Sequence, residues 1–368
     1  MDNRSFPSQI GPYQILRSLG SGASAEILLA KVLPGAAAQD QYRFAAENQP
    51  FAIKWMLPNI NTEQAIRAFQ NEAIINASLS HPNICKVYGY AHINNNHCIL
   101  MEYIQGKNLQ QWLQYLKLHK TSFPVPASLF ITLQILKALA YAHDHKDANG
   151  VPLDIIHRDI SPHNILISYQ ARVKLIDFGI ANANVERDAT RAGIIKGKLS
   201  YMAPEHALGR SIDRRADLYS LAVTLYQMLC GENPLETPNQ YETYQNVITS
   251  RFPPIEQRLP QLPQNVLKLI HKSLQNDPAK RYQNAEAFAQ DIERALAVNY
   301  ANYQAQKFLN DINSLTTFDA APHYQSPAPS VRPPSLTRNV KLILFAIPAL
   351  LGTLLGLILI IITILATT

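Results

Sequence analysis

The chain has 368 residues, a formal net charge of +6 from 33 Lys and Arg against 27 Asp and Glu, and a 47% hydrophobic share. That length allows one large or two medium domains. A basic excess this small, with no alternation of basic and aromatic residues, excludes the surface that single-strand nucleic-acid binders use. Three cysteines, Cys85, Cys98 and Cys230, lack metal-ligand spacing and read as free or buried thiols in a reducing compartment.

In chain order, residues 1–12 read as an untethered leader without the apolar stretch of a signal peptide. "YQILRSLGSGASAEILLAKVL", starting at Tyr13, has two apolar runs around a small-residue turn and predicts a hairpin. An Ala- and Gln-rich loop follows from Gly35 to Pro50, then a strand in "PFAIKWML". "AIRAFQNEAIINASLS" has helical periodicity and stops before His81-Pro82. "VYGYAHINNNHCILMEYI" predicts two strands around an Asn-rich turn. From about Ala127 helices dominate, with "ASLFITLQILKALAYAHDH" and "DLYSLAVTLYQMLCG" the clearest. After about Tyr300 the composition turns to Pro and Ser and predicts an extended linker. Leu342 to Ala366 holds no charged residue. As a helix it would be about 37 Å long, enough to cross a hydrocarbon core of about 30 Å. Arg332, Arg338 and Lys341 precede it and no charge follows, so positive-inside bias places the rest of the chain in the cytoplasm.

The stretch from Ile155 to Ile167, "IIHRDISPHNILI", resembles the catalytic loop of protein kinases through His157-Arg158-Asp159 and Asn164. "LIDFGIA" carries Asp177 thirteen residues after Asn164, and Ala203-Pro204-Glu205 follows. Together these motifs make the chain resemble the Hanks-type (eukaryotic-like) bacterial serine/threonine kinases from about Tyr13 to Val298. The resemblance implies an α+β, bilobal protein kinase fold, with a strand-rich first lobe and a helical second lobe. The expected boundaries are leader 1–12, kinase domain 13–298, juxtamembrane linker 299–339 and C-terminal transmembrane helix 340–366.

The resemblance also implies roles, residue by residue. Gly20 and Gly22, with Ala25 at the family's third glycine and Leu19 and Ile27 flanking, correspond to the glycine-rich loop over the phosphates of ATP. Alone, those glycines fit an ordinary hairpin turn equally well. Lys54 of "FAIK" corresponds to the phosphate-binding lysine, with Glu72 as its partner. A lone strand lysine is otherwise a solvated one. Met101 would limit the adenine pocket, and Glu102 to Ile104 would offer backbone groups to the base. Asp159 would accept or orient the acceptor's hydroxyl proton; Asn164 and Asp177 would hold Mg²⁺ or Mn²⁺. Glu205 would pair with Arg281, and Asp217 would support the catalytic loop.

Besides Ala25, two positions depart from the pattern. Ser161 stands where Ser/Thr kinases place a lysine, and Lys198 stands where they place a threonine. These read as an exchange, with Lys198 supplying the lost charge and Ser161 the lost hydroxyl. The implied activity is ATP-dependent transfer to Ser/Thr hydroxyls of proteins, including the chain itself. The alternative is a catalytically silent membrane-anchored pseudokinase scaffold. Arg158 and Thr190 would form an activation switch through phosphorylation, or Thr190 is a plain loop residue. Gly352 and Gly356 form a GxxxG pair compatible with a homodimer, a motif that also occurs by chance in apolar helices. Protein substrates and the membrane are the expected partners, and nucleic acid is not.

Overall fold

The structure is a computed structural model, and it describes residues 6–22, 24–33, 49–60, 62–178, 198–301, 303–316 and 340–343. The first lobe is an antiparallel sheet with one long helix. Strands β1 (Gln9–Ile10), β2 (Tyr13–Ser21), β3 (Ala25–Val32), β4 (Phe51–Met56), β5 (Val87–Ile93), β6 (Asn96–Glu102) and a late strand, Val340–Ile343, lie in the order β1-β2-β3-β4-β6-β5 and then the late strand. The Asn-rich turn forms as its residues require. Asn94 and Asn95 take φ of 49° and 63°, the left-handed region that two-residue hairpins need and that Asn tolerates. Helix α1 (Glu63–Ser78) starts at Thr62, whose hydroxyl accepts from Ala65 N, and buries Phe69, Ala73 and Asn76 towards β5.

The second lobe opens with β7 (Gly106–Asn108), which pairs with β8 (Ile165–Ser168) and through it with β9 (Val173–Leu175). Helix α2 (Leu109–Leu118) follows through a reciprocal cap between Asn108 and Gln111. Helix α3 (Val125–His143) is, among the described residues, the one helix long and apolar enough to cross a bilayer; it is mostly buried instead. It packs on α5 (Arg215–Cys230) and α9 (Ala285–Asn299), so its all-round apolar character belongs to a core helix. The short α4 (Pro204–Ala207), α6 (Gln240–Thr249), α7 (Ile255–Arg258) and α8 (Gln264–Ser273) complete this lobe.

Three expectations need correction. Residues 6–12 are not an untethered leader. Gln9 and Ile10 pair with Gln14 and Tyr13, Ile10 is buried, and Gly11 turns the chain at φ +54°. The linker expected over 299–339 starts later, because Ala305–Thr316 forms helix α10. Phe308 and Ile312, one turn apart, are fully buried on the second lobe's core, and Phe130 meets Phe308 with ring centroids 4.9 Å apart. Val340–Ile343 (β10), the first residues of the expected span, are extended and pair with the free edge of β5. The rest of that span, with Gly352 and Gly356, lies outside the described residues, as do the loop over 35–48 and Thr190. Cys85 and Cys98 are buried free thiols as expected; burial pushes Cys98 up to about 12, away from nucleophilic use.

Candidate active site

Lys54 sits on β4, facing the cleft between the lobes. Its Nζ lies 2.6 Å from Glu72 Oε1 of α1 and 3.1 Å from Asp177 Oδ1. Burial alone would lower the lysine's pKa, but Asp177 and Glu72 outweigh it and hold the ammonium above its ordinary value. Glu72 is shifted up, first by burial and then by the nearby Asp177, against the pull of Lys54. One fixed cation therefore orients two carboxylates from opposite lobes.

Around it lies an apolar wall. Ala52 and Met101 are buried in one cluster, with Leu19, Ile27, Ile104 and Ile176 packed against it. Ala25 is buried in this cluster too, and its carbonyl accepts from Gly22 N at 2.8 Å. The methyl that replaces the family's third glycine thus packs inward. Beside Met101 a small inner pocket is lined by Glu72, Asn76, Cys85 and Asp177 among others.

The catalytic loop is held from below by Asp217, at the start of α5. Its carboxylate accepts from His157 N at 2.8 Å and Arg158 N at 2.9 Å, and bonds His143 Nε2 at 2.9 Å. Burial would raise this acid, yet the His143 and backbone hydrogen bonds keep its pKa below the ordinary carboxylate value. These bonds hold Arg158 at φ +68°, a strained conformation for a side chain with a Cβ. The short 3₁₀ turn Pro162–Asn164 then swings Asn164 back, so that its Nδ2 donates to Asp159 O and Asp159 Oδ2, both at 2.8 Å. With both amide hydrogens directed at Asp159, the Asn164 side-chain oxygen remains as an acceptor. Ile176 N donates to Asn164 O at 3.0 Å, which sets Asp177 beside it. Asp177, at φ +57°, is partly exposed to the cleft. An amide oxygen and a carboxylate side by side fit a hard divalent cation such as Mg²⁺.

Lys198 reaches the same centre. Its Nζ lies 2.6 Å from Asp159 Oδ2, although the side chain is 55% exposed. It is placed by the segment after it. Ser200 Oγ accepts from Asn233 Nδ2 at 3.0 Å, Tyr201 OH donates to Gln227 at 2.6 Å, and Glu205 makes two 2.8 Å bonds to the buried Arg281. Ser161 does not complete the expected exchange: its hydroxyl is buried and has no hydrogen-bond partner among the described residues. Arg158 Nε is also buried and without a hydrogen-bond partner among the described residues.

The protein-family profile described as "Protein kinase domain" matches residues 13–292. The chain belongs to the protein kinase family. Among kinases it resembles the tyrosine-protein kinase MasK of Myxococcus xanthus, 36% identical over 288 residues, which cover 78% of this chain and 43% of that protein. It also resembles the serine/threonine-protein kinase PrkC of Bacillus subtilis, 32% identical over 293 residues, covering 79% and 42%. The chain thus spans about two-fifths of the length of these curated relatives. Among solved structures, the kinase domain of Mycobacterium tuberculosis PknI matches with a TM-score of 0.57 at 26% identity, covering 79% of this chain and 99% of that one.

Two contributors escaped the sequence reading. Asn76, one turn after Glu72, is buried; its Nδ2 donates to Glu72 O at 2.8 Å and its amide contacts the Phe178 backbone at 3.4 Å. Lys174 is buried on β9 and bonds Glu102. A polar residue on the apolar face of a helix or strand is the available signal for both.

Proposed function

We propose that this chain is an ATP-dependent protein kinase that transfers the γ-phosphoryl group to Ser and Thr hydroxyls of proteins, itself included. The observation that carries the reading is Lys54, bonded at once to Glu72 and Asp177 beside the Asp159–Asn164 pair. Lys54 binds and orients phosphate oxygens. Asp159, fixed by Asn164 and Lys198, orients the acceptor hydroxyl and takes its proton as the hydroxyl oxygen bonds to the γ-phosphorus and the β–γ bridging oxygen leaves with ADP. When bound, Mg²⁺ or Mn²⁺ offsets phosphate charge; Asp177 and the Asn164 side-chain oxygen are the groups that would hold it.

Lys198 supplies cationic charge at Asp159 in place of the lysine missing at position 161. Its 2.6 Å contact supports this half of the exchange, while the unpartnered Ser161 hydroxyl gives no support to the other half. Arg158, whose buried Nε has no hydrogen-bond partner among the described residues, is the partner for a phosphate on Thr190, and phosphorylation in trans would be favoured if Gly352 and Gly356 pair two chains. The apolar segment to Ala366 anchors the enzyme to a membrane with the kinase domain in the cytoplasm.

The test is incubation of the full chain with radiolabelled ATP and acid hydrolysis of the products. Phosphoserine and phosphothreonine are expected. Phosphotyrosine alone would overturn the acceptor class, the activity named for MasK, and no label at all would favour the silent scaffold.

A further inference from the structure

A buried cation lies at the seam between the lobes, outside the groups used above. Lys174 belongs to β9, in the small sheet of the second lobe, and is 9% exposed. Its Nζ donates to Glu102 Oε1 at 2.5 Å and to Ile84 O at 3.2 Å. The same Glu102 oxygen accepts from Lys86 N at 2.6 Å, and Glu102 N returns a bond to Lys86 O at 2.9 Å. The segment between α1 and β5 is stitched to β9 as well. Asn83 Nδ2 donates to Val173 O, Leu175 N to Asn83 O and Cys85 N to Leu175 O, at 2.8–2.9 Å.

Three stretches far apart in sequence therefore meet at one ammonium. Glu102 ends β6, on the side of the cleft where the base would lie. Leu175 is two residues before Asp177, on the side where a metal would lie. A surface lysine in this position would gain little from an ion pair. A buried one with two fixed acceptors holds its neighbours firmly, because moving either strand leaves a charge unpaired away from water.

We propose that Lys174 is a positioning residue that couples the two ends of the nucleotide cleft: by clamping Glu102 and Ile84 it makes the base-side strand and the strand that leads to Asp177 move together. The inference rests on the nucleotide and metal site proposed above. With the clamp, ordering of Asp177 by a divalent cation also orders the base side, so the cation strengthens binding of the whole nucleotide. Without it, the two ends respond independently.

The measurement is the dissociation constant of ATP with excess chelator and with Mg²⁺, for the wild-type chain and for Lys174→Met, Lys174→Arg and the double variant Lys174→Met/Glu102→Gln. The double variant leaves no unpaired buried charge, and its amide oxygen can still accept from Lys86 N, so it separates coupling from folding. Thermal melting of each variant reports folding directly. We expect the Mg²⁺-dependent gain in affinity to fall about fivefold in Lys174→Met and in the double variant, and to return in Lys174→Arg. A purely structural lysine would lower the melting temperature and leave the gain intact; an undiminished gain in the double variant overturns the inference alone. Wild-type protein that binds no ATP removes the proposed function and this inference together.

Discussion

The Lys198–Asp159 contact makes charge at the reacting centre depend on a residue outside the catalytic loop. Lys198→Thr is expected to lower kcat about tenfold to a hundredfold, below the largest losses seen for fixed buried donors because this ammonium is half in solvent. The KM for ATP should change little, and adding Ser161→Lys should recover most of the loss. Steady-state kinetics of the two single variants and the double variant check this; equal activity of Lys198→Thr and wild type would remove Lys198 from catalysis. Asp217 sets a pH dependence of stability. Its folded pKa lies below its unfolded value, so its contribution is complete above about pH 4 and is lost as pH falls through the depressed folded value. Asp217→Asn should cost about 3 kcal/mol near neutral pH, and its denaturation curves should vary less with pH on the acid side than those of the wild type.

At the scale of elements, β7 lies so close to β8 that only glycine fits. A Cβ on Gly106 would stand 2.2 Å from Ile167 O and 2.6 Å from Ser168 Cα, both backbone atoms that cannot rotate away. Gly106→Ala should destabilise the second lobe by about 2–3 kcal/mol, read as a lowered denaturant midpoint. Gly106 drew no attention in the sequence, because a close backbone approach comes from pairing between strands some sixty residues apart. The β2–β3 hairpin, the Asn turn, α1, α3 and α5 were legible because each has a local signal: a period, a cap or a left-handed turn residue. Asp159, Asn164 and Asp177 were legible because their spacing within two short motifs nearly fixes their geometry, and Glu72 because a helix follows the strand of Lys54. Lys174 and Asn76 were not, since their partners lie 72 and 102 positions away.

For the whole molecule, α10 extends the kinase fold beyond the residues matched by the family. Its short amphipathic pattern was hidden by the Pro- and Ser-rich sequence that follows. Phe308→Ala should cost about 3–5 kcal/mol, because it empties a fully buried site beside Phe130. Ending the chain after residue 300 should lower the melting temperature relative to ending it after 316. Removing residues from Val340 onward should release the protein from membranes with nucleotide binding retained; wholly membrane-bound truncated protein would contradict the anchor. The central claim is that Asp159 works in phosphoryl transfer at an assembled centre. The most direct measurement compares label transferred from [γ-³²P]ATP by full-length wild type and Asp159→Asn, with ATP affinity determined on the same samples. We predict equal affinity and transfer reduced about 10³-fold or more in the variant, in line with loss of an essential proton-handling group. Equal transfer by both proteins, or none by the wild type, would contradict the account.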